Sequence, residues 1–325
     1  MSEQHDAPGI RADLARAATW TDGELRGAAA AFAGVASDSR TLVPGNLFVA
    51  LQGPNHDGHD HVAAAAAAGA AGAVVARPVP ADLPQVVVPD TLAALGALAR
   101  RWRLECAVPV VGVTGSNGKT TVKEMTAAIL GRLGPTLATR GNLNNLIGVP
   151  LTLLRLTPAH RFAVIEMGAN HPGEIAQLAA LAGPQVAAVT NAGAAHLEGF
   201  GSVEGVARAK GELYQALAAD GTAVINADDR FAGLWRSLAP GPVSTFGLGE
   251  ADVTADWDGD ATGSRLRLRT PAGPLEAELA LPGRHNVMNA LAAAALALAA
   301  GAGPAAVRDG LEAIRPVAGR MAPRA

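Results

Sequence analysis

Between Gly112 and Met125 the chain reads GVTGSNGKTTVKEM, an apolar run that opens into glycines and ends in a lysine and two threonines. Phosphate-binding loops follow the pattern G-x-x-x-x-G-K-[ST], set between a strand and a helix. Gly118, Lys119 and Thr120 match its end, whereas Val113 stands at the first glycine position and Gly115 takes the tight-turn role instead. Glycines let backbone N–H groups approach phosphate oxygens, and the amino terminus of the following helix adds favourable potential. The loop Gly115, Ser116, Asn117 and Gly118 is therefore expected to wrap phosphates. Lys119 would reach the β and γ groups, and Thr120 or Thr121 would hold Mg²⁺ through a hydroxyl. The bland alternative is a glycine-rich turn that binds nothing.

Three more residues could take part. Glu166 ends the apolar run of FAVIEMGAN, where phosphate-loop enzymes commonly keep a carboxylate that supports Mg²⁺; a strand-end carboxylate can also be a plain salt-bridge partner. His196, in TNAGAAHLEGFG, follows another strand, and a lone loop histidine is usually only hydrogen-bonded or solvated. Lys210, in ARAKGELYQAL, falls on a helical stretch where composition favours a solvent-facing side chain. An ammonium has no lone pair for a metal. A neutral amine can add CO₂ and become a carbamate, whose anionic oxygens suit a second Mg²⁺. The bare spacing does not decide that.

The elements around these residues predict an α/β fold. Apolar strands in VVGVTG, RFAVIEMG, QVAAVTNAG and GTAVINADD alternate with helical patterns, which implies a parallel sheet covered on both faces. In such sheets ligands sit at the carboxyl ends of the strands. SRLRLRT and LEAELAL alternate at period two, like antiparallel strands at a sheet edge, and an alanine-rich helix follows over Asn286–Ala300. Before the glycine-rich turn, NLFVALQG, HVAAAAAAGAAG and AVVA read as strand, helix and strand of a small α/β unit. RPVPADLPQVVVPD, with four prolines, reads as a domain edge. The expected organisation is an N-terminal unit over residues 1–88, a central nucleotide unit over 89–318 and a linker start over 319–325.

A formal net charge of −3 offers no basic field for nucleic acid. The single cysteine, Cys106, excludes an internal disulfide and fits a reducing, cytoplasmic setting. The amino terminus lacks the apolar core of a signal peptide. Val287–Val307 is uncharged and long enough to cross a bilayer, but its alanines, glycines and proline favour a buried helix and turn. A soluble, monomeric protein is expected.

The segments TGSNGKTT, EMGANHPGEI, NAGAAHLEGFGS, AKGEL, NADD, PGRHNVMNALAA and GRM together resemble the Mur ligases, the ATP-dependent amide-forming family of bacterial cell-wall synthesis. The resemblance runs over nearly the whole chain in the family's order. It implies that Lys119 and Thr120 hold ATP phosphates and the first Mg²⁺, with Glu166 supporting that metal. His196 and carbamylated Lys210 would hold the second Mg²⁺. Asn286, with His285 beside it, would contact adenine, Asn142 would approach the phosphates or the acyl group, and Arg320 would contact the nucleotide. Ser39, Arg40 and the loop around Asp57, Gly58 and His59 would hold the UDP-sugar.

Within the family, Gly141–Leu156 and Asp38–Val62 resemble the acid–D-amino-acid ligase that joins D-Ala-D-Ala to UDP-MurNAc-tripeptide. The enzyme acting one step earlier, on the UDP-MurNAc-dipeptide, shares the Asp-Ser-Arg and phosphate-loop signatures but has a Thr-Thr-Pro run where this chain has GNLNN. Leu146 replaces the Glu or His usual in that segment. The family's third domain has an Asp-x-Tyr-Asn-Ala-Asn-Pro signature that is absent here, so weak nucleotide binding and little ligation by this chain alone are expected. Two other readings compete: a phosphate-loop kinase or ATPase, against which the SDSR and HDGHD segments count, and a non-catalytic fragment that binds nucleotide and UDP-sugar.

Overall fold

A computed structural model describes residues 9–53, 56–194 and 197–315. Two units divide the chain: the residues up to Ala107 together with Leu146–Pro158, and Val108–Asn145 together with the residues from Ala159 onward.

The second unit is built on six strands in the order Thr136–Ala138, Phe162–Glu166, Val110–Thr114, Val186–Val189, Thr222–Asn226 and Val243–Phe246. Every neighbouring pair is parallel, so all carboxyl ends lie along one edge. Successive side chains of a strand point to opposite faces. Val111 and Val113 enter the core formed with helices Lys119–Leu130 and Arg284–Ala299, while Gly112 approaches Leu213 of helix Val203–Gln215 on the other side. Burial on both faces explains why these strands read as unbroken apolar runs. The alanine-rich helix is buried continuously from Ala290 to Ala297, its small side chains allowing close approach to the phosphate-loop helix. Among the described residues no helix is long and apolar enough to cross a membrane.

The period-two segments form a sheet of their own, Thr254–Gly259, Ser264–Arg269 and Leu275–Leu279, all antiparallel. It joins the edge strand of the parallel sheet through one bridge between Phe246 and Val253. Leu266, Leu268, Ala277 and Leu279 are buried, and the alternate Arg265, Arg267 and Arg269 pair with Glu278, Asp258 and Asp256 on the exposed face.

In the first unit five strands run Glu24–Arg26, Gln85–Val87, Gly72–Val75, Leu47–Val49 and Val35–Ala36, with only the first pair antiparallel. The proline-rich stretch expected as a domain edge thus supplies an inner strand, Gln85–Val87. The next helix, Thr91–Cys106, also belongs to this unit, whose first segment runs to Ala107, past residue 88, and which takes in Leu146–Pro158 as well. Asp90 caps the helix by accepting from Leu92 and Ala93 N–H, and Thr91 Oγ1 donates to Ala50 O. Leu95, Leu98, Ala99 and Trp102 are buried, and Trp102 Nε1 donates to Leu156 O at 2.9 Å. Ala107, in the left-handed region at φ 51°, stops the helix.

Candidate active site

Gly115 follows the central strand at φ 148° and Gly118 caps the next helix at φ 80°. A Cβ at Gly115 would lie 1.9 Å from Thr190 Oγ1, and one at Gly118 would lie 2.4 Å from Asn289 Oδ1. Both positions therefore need glycine for backbone conformation and for space. The loop is tied to the end of the neighbouring strand. Ser116 N donates to Asn191 O at 2.9 Å, Asn117 N to Asn191 Oδ1 at 3.0 Å, and Thr190 Oγ1 to Asn117 O at 2.6 Å. Two N–H groups expected to face phosphate are thus engaged within the protein. The amides that begin the Lys119–Leu130 helix, which have no acceptor inside it, are the free anion donors.

Lys119 folds back over the loop, its Nζ donating to Gly115 O at 2.7 Å and Ser116 O at 3.3 Å. Burial lowers its pKa, and the charge of Glu166 opposes that shift. Glu166 ends the adjacent strand and is 2% exposed. Its backbone N–H donates to Thr139 Oγ1 at 2.9 Å, and its Oε1 accepts from Asn144 Nδ2 at 2.8 Å. Its Oε2 is buried and has no hydrogen-bond partner among the described residues. An unpaired buried carboxylate oxygen is costly, and it suits a hard divalent cation. No group of three or more His, Cys, Asp and Glu side chains that could hold a metal occurs among the described residues, so other donors would have to complete the coordination.

Lys210 is not a surface lysine. It is 2% exposed on helix Val203–Gln215, and burial, with Lys119's charge in second place, brings its pKa down to about 8. The charge of Glu166 acts on Lys119, and that of Lys119 on Lys210, each as the second cause after burial. His196 and Arg320 lie outside the described residues. Asn142 sits exposed on the segment leading to Glu166, and the side chain that this segment brings to the carboxylate is that of Asn144. No local pattern marks Thr139 in the sequence, and Asn144 is one of three asparagines in GNLNN that look alike there.

Beside the loop opens a cleft of about 850 Å³ lined by Asn117, Gly118, Thr121, Asn191, Asp228, Phe246, His285, Asn286 and Asn289, among others. The structure thus brings His285 and Asn286 to the same cleft as the phosphate loop. Asn286 Nδ2 donates to Pro282 O at 2.9 Å. Asp228 and Asp229 hold this wall: Asp229 accepts from Ala192 N at 3.0 Å and Asp228 from Leu248 N at 2.8 Å. Thr120 is not among the lining residues.

The first unit carries a groove of about 590 Å³ to which Ser39, Arg40, His56 and His61 contribute. The two imidazoles stack with centroids 4.8 Å apart. Arg40 makes a double hydrogen bond to Asp38 and, with Asp38, remains at the surface; that pairing holds the Asp38 carboxyl down at about 2. Asp57, Gly58 and His59 do not line the groove. His59 is buried, 2.6 Å from Asp57 Oδ1 through Nδ1, while its Nε2 accepts from Ala76 N at 2.7 Å. That Nε2 acceptance assigns the Nδ1–H tautomer, and the pair acts as a tie between loop and strand end.

Comparison with known proteins matches residues 113–297 to the Mur ligase middle domain and residues 31–103 to the catalytic domain of the Mur ligase family. The chain belongs to the Mur ligase family. It is 47% identical to the UDP-N-acetylmuramoyl-tripeptide–D-alanyl-D-alanine ligase of Escherichia coli (strain K12), over 93% of this chain and 68% of that one. The crystal structure of MurF from Acinetobacter baumannii superposes with a TM-score of 0.92 at 39% identity, covering 96% of this chain and 70% of that one. MurF ligase from Thermotoga maritima, solved in complex with ADP, gives 0.80 at 30% identity, over 90% and 68%. This Mur ligase chain thus spans about two thirds of the length of these relatives.

Proposed function

We propose that this Mur ligase binds ATP in the cleft beside Lys119 and takes part in joining D-Ala-D-Ala to UDP-MurNAc-tripeptide. The observation that carries the chemistry is the buried, unpaired Oε2 of Glu166 next to a phosphate loop with a half-buried lysine. The choice of substrates rests on the E. coli relative.

A carboxylate is a poor electrophile because its leaving group would be oxide. Transfer of the γ-phosphoryl group to a carboxylate oxygen breaks the γ-phosphate bond to ADP and forms an acyl phosphate. The amine of D-Ala-D-Ala then attacks the acyl carbon, loses a proton, and expels phosphate from the tetrahedral intermediate to leave the amide. The first step brings two anions together, so positive charge must be held in place beforehand. Lys119 supplies one such charge from a half-buried position, and the helix amino terminus supplies another. His285 and Asn286 bind adenine at the far wall of the cleft, and Ser39 and Arg40 hold the UDP-sugar in the first unit's groove.

Glu166 and Thr120 would hold a first Mg²⁺, and His196 with Lys210 a second, the ions supplying charge neutralisation between the γ-phosphate and the substrate carboxylate. The open oxygen of Glu166 fits that assignment. Lys210 fits it as a carbamate: its lowered pKa makes the neutral amine accessible near pH 8, and addition to CO₂ forms an N–C bond and releases one proton. The test is phosphate release from Mg-ATP with UDP-MurNAc-tripeptide, with and without D-Ala-D-Ala. Release that requires the sugar nucleotide supports the reading, and release indifferent to it would replace the ligase with a simple ATPase.

A further inference from the structure

Lys123 has no part in the chemistry described so far, yet it is completely buried one turn into the phosphate-loop helix. A charge removed from water must be matched by acceptors or it destabilises the fold. Its Nζ pairs with Glu124 Oε1 and donates to the carbonyl oxygen of Thr139 at 2.7 Å. Thr139 is itself 1% exposed and is fixed to the sheet by donating its N–H to Val164 O at 3.1 Å. Its hydroxyl accepts the Glu166 N–H at 2.9 Å. Further along the same segment Asn144 holds Glu166 Oε1 at 2.8 Å, and the Asn144 carbonyl accepts from Gly168 N at 2.8 Å. The segment from Thr139 to Asn144 therefore holds Glu166 by both backbone and carboxylate, leaving Oε2 as the unpaired atom. Lys123 fastens the beginning of that segment to the helix that carries Lys119.

We propose that Lys123, acting through Thr139, is a positioning residue that keeps Glu166 set for a divalent cation at the phosphate loop. The inference rests on the reading of Glu166 as a metal-supporting carboxylate. Partners that orient a metal ligand, when removed, cost about 10- to 100-fold in metal affinity. A side chain that merely stabilised the helix would weaken every form of nucleotide binding alike.

The experiment titrates a fluorescent ATP analogue against the chain over a range of Mg²⁺ concentrations, alongside thermal melts, for wild type, Lys123→Met, Thr139→Val, Thr139→Ser and Glu166→Gln. The half-saturating Mg²⁺ concentration should rise about tenfold or more in Lys123→Met and Thr139→Val. Binding without Mg²⁺ should stay close to wild type, and Thr139→Ser, which keeps the hydroxyl, should restore the Mg²⁺ dependence. If Lys123→Met does not fold, the shorter, uncharged Lys123→Gln takes its place with the same expected rise, and the Thr139→Val and Thr139→Ser pair tests the Thr139–Glu166 link. Equal weakening with and without Mg²⁺, or an unmoved Mg²⁺ dependence while Glu166→Gln shifts it, overturns the inference. An unmoved Mg²⁺ dependence in Glu166→Gln overturns instead the reading on which it rests.

Discussion

His59 with Asp57 in the first unit, and Glu166 with Lys119 and Lys210 in the second, are both clusters of ionisable side chains drawn into the protein. They are built on different plans. Around His59 the donors and acceptors close on one another: Nδ1 meets Asp57, Nε2 takes the Ala76 N–H, and the other Asp57 oxygen takes Arg77 at 2.9 Å and Gln52 at 3.3 Å. Around Glu166 one oxygen is matched and the other is not, and two lysines are held with their basicity lowered by burial. A closed cluster stabilises a turn. An open one costs stability until a ligand completes it, which is the usual condition of a working site. The motif HDGHD and the motif GKTT look equally chemical in the sequence; the bonding separates them.

Removing a member of the open cluster should have the largest effect. Lys119→Ala should lower phosphoryl transfer by about 10²- to 10³-fold, the scale for losing one preorganised positive group, with its melting temperature little changed. Near-normal turnover in this variant would break the contrast. The closed cluster should respond the other way. His59→Ala, which orphans the Ala76 N–H, should cost about 1–3 kcal/mol of stability in denaturant unfolding and leave nucleotide affinity in the second unit unaltered.

Lys210 gives the smallest and most discriminating effect. Its folded pKa of about 8 lies below the ordinary 10.5, so its charged form is the destabilised one. The penalty is full below pH 8 and is relieved as pH rises from 8 towards 10.5. Lys210→Met should therefore melt higher than wild type at pH 7, with the difference shrinking above pH 8. At fixed dissolved CO₂, the carbamate signal in ¹³C NMR should rise steeply towards saturation between about pH 7 and 9, because the neutral amine becomes the major form and carbamate formation itself releases a proton. No ¹³C signal lost on Lys210→Met would remove the carbamate from the account.

Much of this site is legible in the sequence, for physical reasons. The glycines, Lys119 and the threonines are contiguous, and a parallel sheet turns apolar runs into strand ends on one edge, so Glu166 could be placed at a strand end without coordinates. What the sequence hides are ties that cross the chain. Thr139 and Asn144 reach Glu166 across spans of 27 and 22 residues, and no local pattern marks them. Lys119 and Lys123 lie on the same helix, and only packing tells that the second is sealed beneath the surface. Helix Thr91–Cys106 falls within the residues expected for the central unit, yet Trp102 and its neighbours bury it in the first unit.

The central claim is that phosphate moves onto a carboxylate. It is tested most directly by labelling the reacting carboxylate of UDP-MurNAc-tripeptide with ¹⁸O and analysing the phosphate released from Mg-ATP in the presence of D-Ala-D-Ala. Amide formation through an acyl phosphate leaves one carboxylate oxygen on the departing phosphate, so the account predicts singly labelled phosphate. Unlabelled phosphate would mean that water had taken the γ-phosphoryl group, and would contradict it.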